Sequence, residues 1–372
     1  MKRYILSAVL VAGAMAMTAC GSGSEASSSA ASSGGSSSTA QTGNPSSAVT
    51  LQESGSSLLY PYLQELVQPL KQQYPNINLA PSAGGSGKGI SDAISGTVQL
   101  GGSDAYLSPG DLQQNPGLMN IPVVISAQAV NYNLPGVSDL KLSGDILAQI
   151  YEGTITTWND PAIAAMNSGV NLPSTTIVPV RRVDSSGDTF LFTSYLSATN
   201  PSWQNGPGEG TTVTWPAVPT EVTANGNPGM VQTCQATPGC VAYVGISSEQ
   251  AALQAGLGEA QLQNKDGAFV QLNQDTINAA VQAGATNIPA NLAQSLIYEP
   301  GADSYPIVNY EYLIVKQQQS SADVAEAVRT FLAWTMDPNG GSQQQYLDAE
   351  GFVALPEAVR QVSTSTVATI TG

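Results

Sequence analysis

From Val49 onward the chain alternates short apolar runs with stretches whose apolar residues recur at helical spacing, and that alternation limits the fold more than any other feature. "AVTLQESG" reads as a strand closing in a turn. The next stretch, "SLLYPYLQELVQPLKQQYP", sets Leu59, Leu63, Leu66, Val67 and Leu70 on one helical face. "INLAPS" is a strand, "GKGISDAISGTVQ" a short helix, and "LGGSDAYL" a strand ending at Asp104. "MNIPVVISAQAVNYNL" is a long β-rich run, followed by helices in "SGDILAQIYEG" and "NDPAIAAMN" with Ser143 and Asn159 as N-caps. Strand–helix pairs return in "TIVPVRR" with "SSGDTFLFTSYLSA", "CVAYVGI" with "SSEQAALQAG", and "IVNYEYLIVK" with "SADVAEAVRTFLAWTM". The pattern predicts an α/β class. No fixed-period repeat argues for a solenoid, and 372 residues are enough for two domains with ample cores.

Several strand–helix junctions share a design. "GSSLLYP" (55–61), "AGGSGKG" (83–89) and "DSSGDTF" (184–190) each follow a strand and open a helix, and "GGSDAYL" (101–107) closes a strand with Asp104. Ser/Gly turns at helix starts leave backbone N–H groups free and let a ligand approach closely. The helix dipole then favours negative charge there. Any one such turn is accounted for as an ordinary N-cap. The third, however, is preceded by Arg181 and Arg182, and a guanidinium fork matches tetrahedral oxyanions. Asp184 is spaced to hold the Arg182 fork in place; the plain reading of that pair is a surface ion pair of little value.

Composition narrows the function. There is no histidine, which removes the commonest general base and metal ligand. With 11 Lys+Arg against 27 Asp+Glu, the formal charge of −16 argues against nucleic acid and against long-range steering of an anion. An anion site in this chain has to work through local dipoles. "AGGSGKGIS" is not a nucleotide P-loop: Gly89 follows Gly-Lys, and Ser82 stands where the motif needs its first glycine. Lys88 therefore reads as solvated.

"MKRYILSAVLVAGAMAMTAC" (1–20) has the basic start, short apolar run and small-residue end of an export signal. Met17-Thr18-Ala19-Cys20 resembles a lipoprotein box, with Cys20 the residue to be lipidated; plain secretion with cleavage nearby is the other reading. Residues 21–47 form a Ser/Gly tether with little apolar surface and a reach of roughly 30 Å. In an exported chain, Cys234 and Cys240 about a Pro-Gly turn read as a structural disulfide rather than free thiols, and the chain has too few Cys and His for a zinc site.

"GSSLLYP", "GGSGKGI…GGSDAYLS", "IYEGTITTWNDPAIAAMN" and "VPVRRVDSSGDTFLFTSYL" together resemble the phosphate-binding proteins of high-affinity phosphate ABC transporters. The resemblance runs from about Val49 to near Val353 and is loosest over 200–290. It implies a two-lobed periplasmic-binding-protein fold (type II) with the ligand in the cleft between lobes. Residues 48–121 plus 304–372 would form lobe one and 122–303 lobe two, with crossings near Pro122 and Asp303. It also implies a monomeric, non-enzymatic protein outside the cytoplasmic membrane, without cofactor or metal, that hands phosphate to an ABC permease. The ligand set carried over is the Ser57 hydroxyl and N–H, the Leu58 N–H, Ser86, Asp104 as proton acceptor, Arg182, and the Ser186-Gly187-Asp188 turn. Position 188 is often Thr in that family, so Asp188 is either a second proton acceptor or a helix cap; a strand-end cap is the plain reading of Asp104. Rival readings are an exported phosphoesterase, a binding protein for sulfate, molybdate or another oxyanion, and a surface adhesin that has lost transport.

Overall fold

The computed structural model describes residues 42–372. The expected export signal (1–20), Cys20 and the tether as far as residue 41 lie outside the described residues. Strands β1 (Val49–Gly55), β2 (Ile77–Ala80), β3 (Leu100–Ser103), β4 (Leu118–Tyr132) and β5 (Lys141–Leu142) are followed by β6 (Val178–Arg182), β7 (Val222–Ala224) and β8 (Cys240–Gly245). Next come β9 (Gly258–Glu259), β10 (Gln261–Gln263), β11 (Phe269–Val270) and β12 (Val308–Lys316). Among the described residues they build one mixed nine-stranded sheet, ordered β2-β1-β3-β12-β4-β8-β6-β7 with β9 beside β4, and a small sheet β11-β10-β5. Helices flank both, which gives the expected α/β class.

The register explains where a site can form. β1 is parallel to β2 and β3, while β8 is parallel to β6 and β6 to β7. β4 and β12, antiparallel to each other, separate the two parallel sets. β3 lies across from the part of β12 that pairs with the start of β4, and it runs in the direction of β4. β8 pairs with the far end of β4, Gln128 to Tyr132, in the opposite direction. The carboxyl ends of both sets therefore aim at the middle of β4. In open α/β sheets the crevice beyond the carboxyl ends is where ligands bind.

β4 is apolar almost throughout because it is covered on both faces; only Met119 of its fifteen residues is not buried. Its register with β12 shifts between Glu311 and Tyr312, opposite Val124 and Pro122. Proline has no N–H to give the ladder, so a bulge is where a central strand can hold one. On the helix Tyr60–Gln73, Leu63, Leu66 and Leu70 are buried and Val67 packs at the core's edge, with Leu59 buried just before it.

Three details differ from the sequence reading. The N-cap of the helix Pro161–Met166 is Asp160, whose Oδ1 accepts from the Ala162 N–H at 2.9 Å, not Asn159. Pro161 is the first helical residue, so the cap falls on the residue just before it. The end of the expected tether is also tied down. Gly43 N–H donates to Thr330 Oγ1 at 2.8 Å, Ser46 Oγ donates to Asp323 at 2.9 Å, and Asn44 accepts from the Asn76 N–H at 2.8 Å. The segment joins the body through backbone and hydroxyl hydrogen bonds, which its composition does not advertise. Finally, the stretch 200–290 carries helices Gly226–Ala236 and Gln274–Gly284 besides β7 and β9 to β11, none of which the apolar pattern marked clearly.

Cys234 and Cys240 are bridged, joining the helix Gly226–Ala236 to the first residue of β8. The buried Trp158 donates its Nε1–H to Gly239 O at 3.0 Å beside the bridge, so the Trp158-Asn159-Asp160 segment serves the scaffold. Replacing both cysteines by Ala should lower unfolding stability by about 2 kcal/mol, the value for so short a loop, measured by urea denaturation.

Candidate functional site

Strand alternation divides the two arginines. Arg181 faces outward, half-buried, with Nε and Nη2 donating to Glu221 at 3.1 and 2.8 Å and its guanidinium 5.9 Å from the Trp215 ring. Arg182 points to the other face and is 3 % exposed. Its Nε donates to Asp184 Oδ1 at 2.7 Å, its Nη2 to Asp184 Oδ2, and its Nη1 to Asp188 Oδ2 at 2.7 Å. Nη2 also reaches Ser57 Oγ at 3.2 Å. The Arg182 N–H donates to the Tyr243 hydroxyl at 2.9 Å, and that ring stacks on Phe192 at 4.6 Å, so an aromatic floor fixes the strand end. Burial works against the guanidinium charge, but the Asp184 hydrogen bonds and the charges of Asp188 and Asp184 outweigh it and hold the Arg182 pKa above its ordinary value.

Asp188 is fully enclosed. Its Oδ2 accepts from Arg182 and from Asn227 Nδ2 at 2.8 Å, and its Oδ1 accepts from Gln128 Nε2 at 3.2 Å. Burial holds its pKa above the ordinary value, and the Arg182 charge with the Gln128 and Asn227 donors offsets only part of that rise. Every contact is an acceptor contact, which is the bonding of an ionised carboxylate. The side chain of Asp188 is thus committed to holding Arg182.

The turns meet around this pair. At the end of β1, Gly55 has φ +148°, and a Cβ there would lie 1.9 Å from Gly102 O, so only glycine lets β1 and β3 close up. Ser57 Oγ faces Arg182 and also accepts from the Asn227 N–H at 3.3 Å. Ser86 begins the helix Ser86–Ser95, and its Oγ accepts from the Asp104 N–H at 3.1 Å. Gly87 N–H donates across to Ser185 O at 3.1 Å. Ser186 caps the helix Gly187–Thr199 through the Thr189 N–H at 3.4 Å. A Cβ on Gly187 would come within 2.2 Å of Asp104 Oδ2 and 2.4 Å of Ser86 Oγ. Ser57, Leu58, Ser86, Asp104, Arg182, Ser186, Gly187 and Asp188 are therefore one buried neighbourhood.

Asp104 is 1 % exposed, and its pKa is pushed up to about 7, first by burial and then by the charge of Asp188. Hydrogen bonding with Glu311 and Ser56 and the Arg182 charge oppose that rise. Glu311, wholly buried on β12, is raised further by burial and by Asp104 beside it.

Two backbone donors beside the cluster, one of them the expected Leu58 N–H, are otherwise engaged. The Leu58 N–H donates to Ser56 Oγ at 3.0 Å instead of facing the cluster, because Ser56 Oγ caps this turn. The Ser186 N–H donates to Thr211 O at 2.8 Å. Lys88 pairs with Asp92 on the surface, apart from the cluster. The sequence reading missed Gln128, Asn227 and Glu311. Gln128 and Glu311 carried a usable signal: each is a polar residue inside an otherwise apolar strand run.

The sequence model of the PBP superfamily domain matches residues 29–339. The chain is 33 % identical over 347 residues to "Phosphate-binding protein PstS" of Methanocaldococcus jannaschii, covering 86 % of both chains. It is 33 % identical over 371 residues to "Phosphate-binding protein PstS3" of Mycobacterium bovis, covering 94 % of this chain and 93 % of that one. The fold is similar to the crystal structure of a phosphate-binding protein from Stenotrophomonas maltophilia, with TM-score 0.64 and 22 % identity over 86 % of this chain and 94 % of that one.

Gly187→Ala tests the close approach. Alanine suits a helix better than glycine, yet its methyl would strike Asp104 and Ser86. Unfolding by urea should show a loss of about 1–3 kcal/mol, as overpacking costs; an unchanged midpoint would mean the turns do not press together.

Proposed function

The chain belongs to the PstS-type phosphate-binding proteins, within the PBP superfamily, and from that premise we propose that it captures inorganic phosphate outside the cytoplasmic membrane and delivers it to an ABC permease for import. It is a binding protein, not an enzyme, in keeping with its family. The observation that carries the reading is the meeting of Arg182 with Ser57, and of Gly187 with Asp104 and Ser86.

Phosphate near neutral pH keeps at least one proton, so it offers acceptor oxygens and one donor hydroxyl. The hydroxyls of Ser57, Ser86 and Ser186, the N–H groups opening the helix Gly187–Thr199, and Arg182 supply donors. The Leu58 N–H joins them only by leaving Ser56 Oγ. Ionised Asp104 accepts a hydrogen bond from the phosphate hydroxyl. Sulfate has no proton to give, and a buried site left with an unpaired acceptor rejects such an analogue by roughly 10⁴–10⁵. Asp188 acts by orienting Arg182 and balancing its charge.

In this reading residues 48–121 plus 304–372 form one lobe and 122–303 the other. Contacts that link these stretches, such as Arg182 to Ser57 and Ser247 Oγ to Leu58 O at 2.8 Å, favour the closed form once phosphate bridges them. Lipid attachment at Cys20 and a tether ending near residue 42 would keep a monomer close to the permease.

Calorimetric titration of the purified protein with phosphate and with sulfate tests the function; equal affinity for the two defeats it. Asp104→Asn should collapse the phosphate-over-sulfate preference. Arg182→Ala should weaken phosphate and sulfate alike, by about 10- to 100-fold for a lost charge-assisted hydrogen bond. In the wild type, as pH falls through about 7, Asp104 gains a proton and becomes a donor. The preference over sulfate should therefore narrow below that pH and widen above it.

A further inference from the structure

Glu311 is a fully buried carboxyl group that has no ion pair among the described residues and has a second carboxyl for a neighbour. It lies on β12, the strand whose Tyr312 pairs with Ser103 of β3, so antiparallel register sets Glu311 opposite Asp104. The register shift between Glu311 and Tyr312 falls at this point, and bulges re-aim side chains beside functional sites. On one side, Glu311 Oε1 accepts from Ser126 Oγ of β4 at 2.5 Å. On the other, the Glu311 and Asp104 carboxyls are within hydrogen-bonding reach of each other. Two buried oxygens here, Glu311 Oε2 and Asp104 Oδ1, have no other partner among the described residues.

Two ionised carboxylates in this place would repel each other and leave both oxygens unsatisfied, a state buried polar groups avoid. One proton removes both problems. We propose that Glu311 is a positioning residue for phosphate recognition: it stays a neutral acid, its O–H donates to Asp104, and Asp104 is thereby kept ionised with its other oxygen turned to the ligand. The proposal rests on the phosphate reading of the site.

The consequence is a division of labour in a pair that shares a proton. The proton that stays belongs to Glu311. The site that fills or empties with pH and accepts from phosphate is Asp104. The charged groups facing the pair are Asp188, from the helix Gly187–Thr199, and Arg182, from β6; β4 contributes only the neutral Ser126. Removing the Glu311 proton donor leaves the Asp104 carboxylate buried with one fewer hydrogen bond. Asp104 then takes up a proton more readily, and a protonated Asp104 can donate to sulfate.

Two variants and one spectrum decide it. Glu311→Gln keeps an N–H donor toward Asp104 but cannot ionise; its phosphate affinity at pH 7.5 should stay within about twofold of wild type, with the same selectivity. Glu311→Ala should lose about tenfold in phosphate-over-sulfate preference at pH 7.5, and the pH at which the preference narrows should move up by about one unit. A mere packing defect would leave that pH midpoint in place. Carbon-13 NMR of the ligand-free wild type, with the Glu311 carboxyl assigned by its loss in Glu311→Gln, should show a protonated acid at pH 8. That spectrum needs no ligand and no destabilised variant, so it reads Glu311 even if phosphate proves not to be the cargo. An ionised Glu311 at pH 8 overturns the proposal. So does a Glu311→Gln variant that loses selectivity, or a Glu311→Ala variant that keeps the wild-type profile.

Discussion

A buried guanidinium must be neutralised where it stands, and the neutralisation of Arg182 organises everything around it. Transfer of an unpaired charge into the interior is prohibitive, so Asp184 grips the fork along one edge and Asp188 takes Nη1. Four of the five guanidinium N–H groups are accounted for among the described residues by Asp184, Asp188 and Ser57. Arg182 is thus a bound cation with little left over. With two carboxylates on it and Asp104 near by, the site carries no positive excess. Beyond the one guanidinium N–H that remains, its hold on an anion comes from hydroxyls and helix-start N–H groups, donors that an acidic chain can supply without adding charge.

The scaffold brings these donors together by strand direction. The carboxyl ends of β1 and β3 come toward the middle of β4 from one side, and those of β6 and β8 from the other. Each end carries its own small-residue turn. Glycine is required where the turns or their strands press closest, at Gly55 against Gly102 and at Gly187 against Asp104. The two strands crossing between the sets contribute Gln128 on β4 and Glu311 on β12, both fully buried. These side chains hold the ionised groups instead of meeting solvent.

Much of this was legible in the sequence for reasons that are local. Helical spacing in 59–70 follows from the 3.6 period of regular backbone; that Arg182 rather than Arg181 joins the cluster was carried by the family resemblance, since a period of two does not say which neighbour faces inward. Turn chemistry at 55–61, 83–89 and 184–190 marked the strand–helix junctions. What stayed hidden was long-range. That Asn227 would touch Ser57 and Asp188, 170 and 39 residues away, is a matter of register across the sheet. The engagement of the Leu58 N–H by Ser56 is a choice between two hydroxyls in one turn that composition cannot make. In 200–290 every strand but β8 is two or three residues long, too short for any period to emerge.

The overall charge of −16 appears at odds with an anion site, but range separates the two. Surface charges are screened over about 8–10 Å at ordinary ionic strength, whereas the hydrogen bonds of the cluster act at contact. Inside, the low dielectric strengthens each donor and sharpens the penalty for each unpaired acceptor. The same burial that raises Asp104 and Glu311 is what makes one proton decisive. In water a carboxylate facing a bare oxyanion would be hydrated at small cost; here it has no such escape. In the proposed reading, acidity in the site is therefore part of how the site chooses, since an ionised Asp104 can accept only from an anion that still carries a proton.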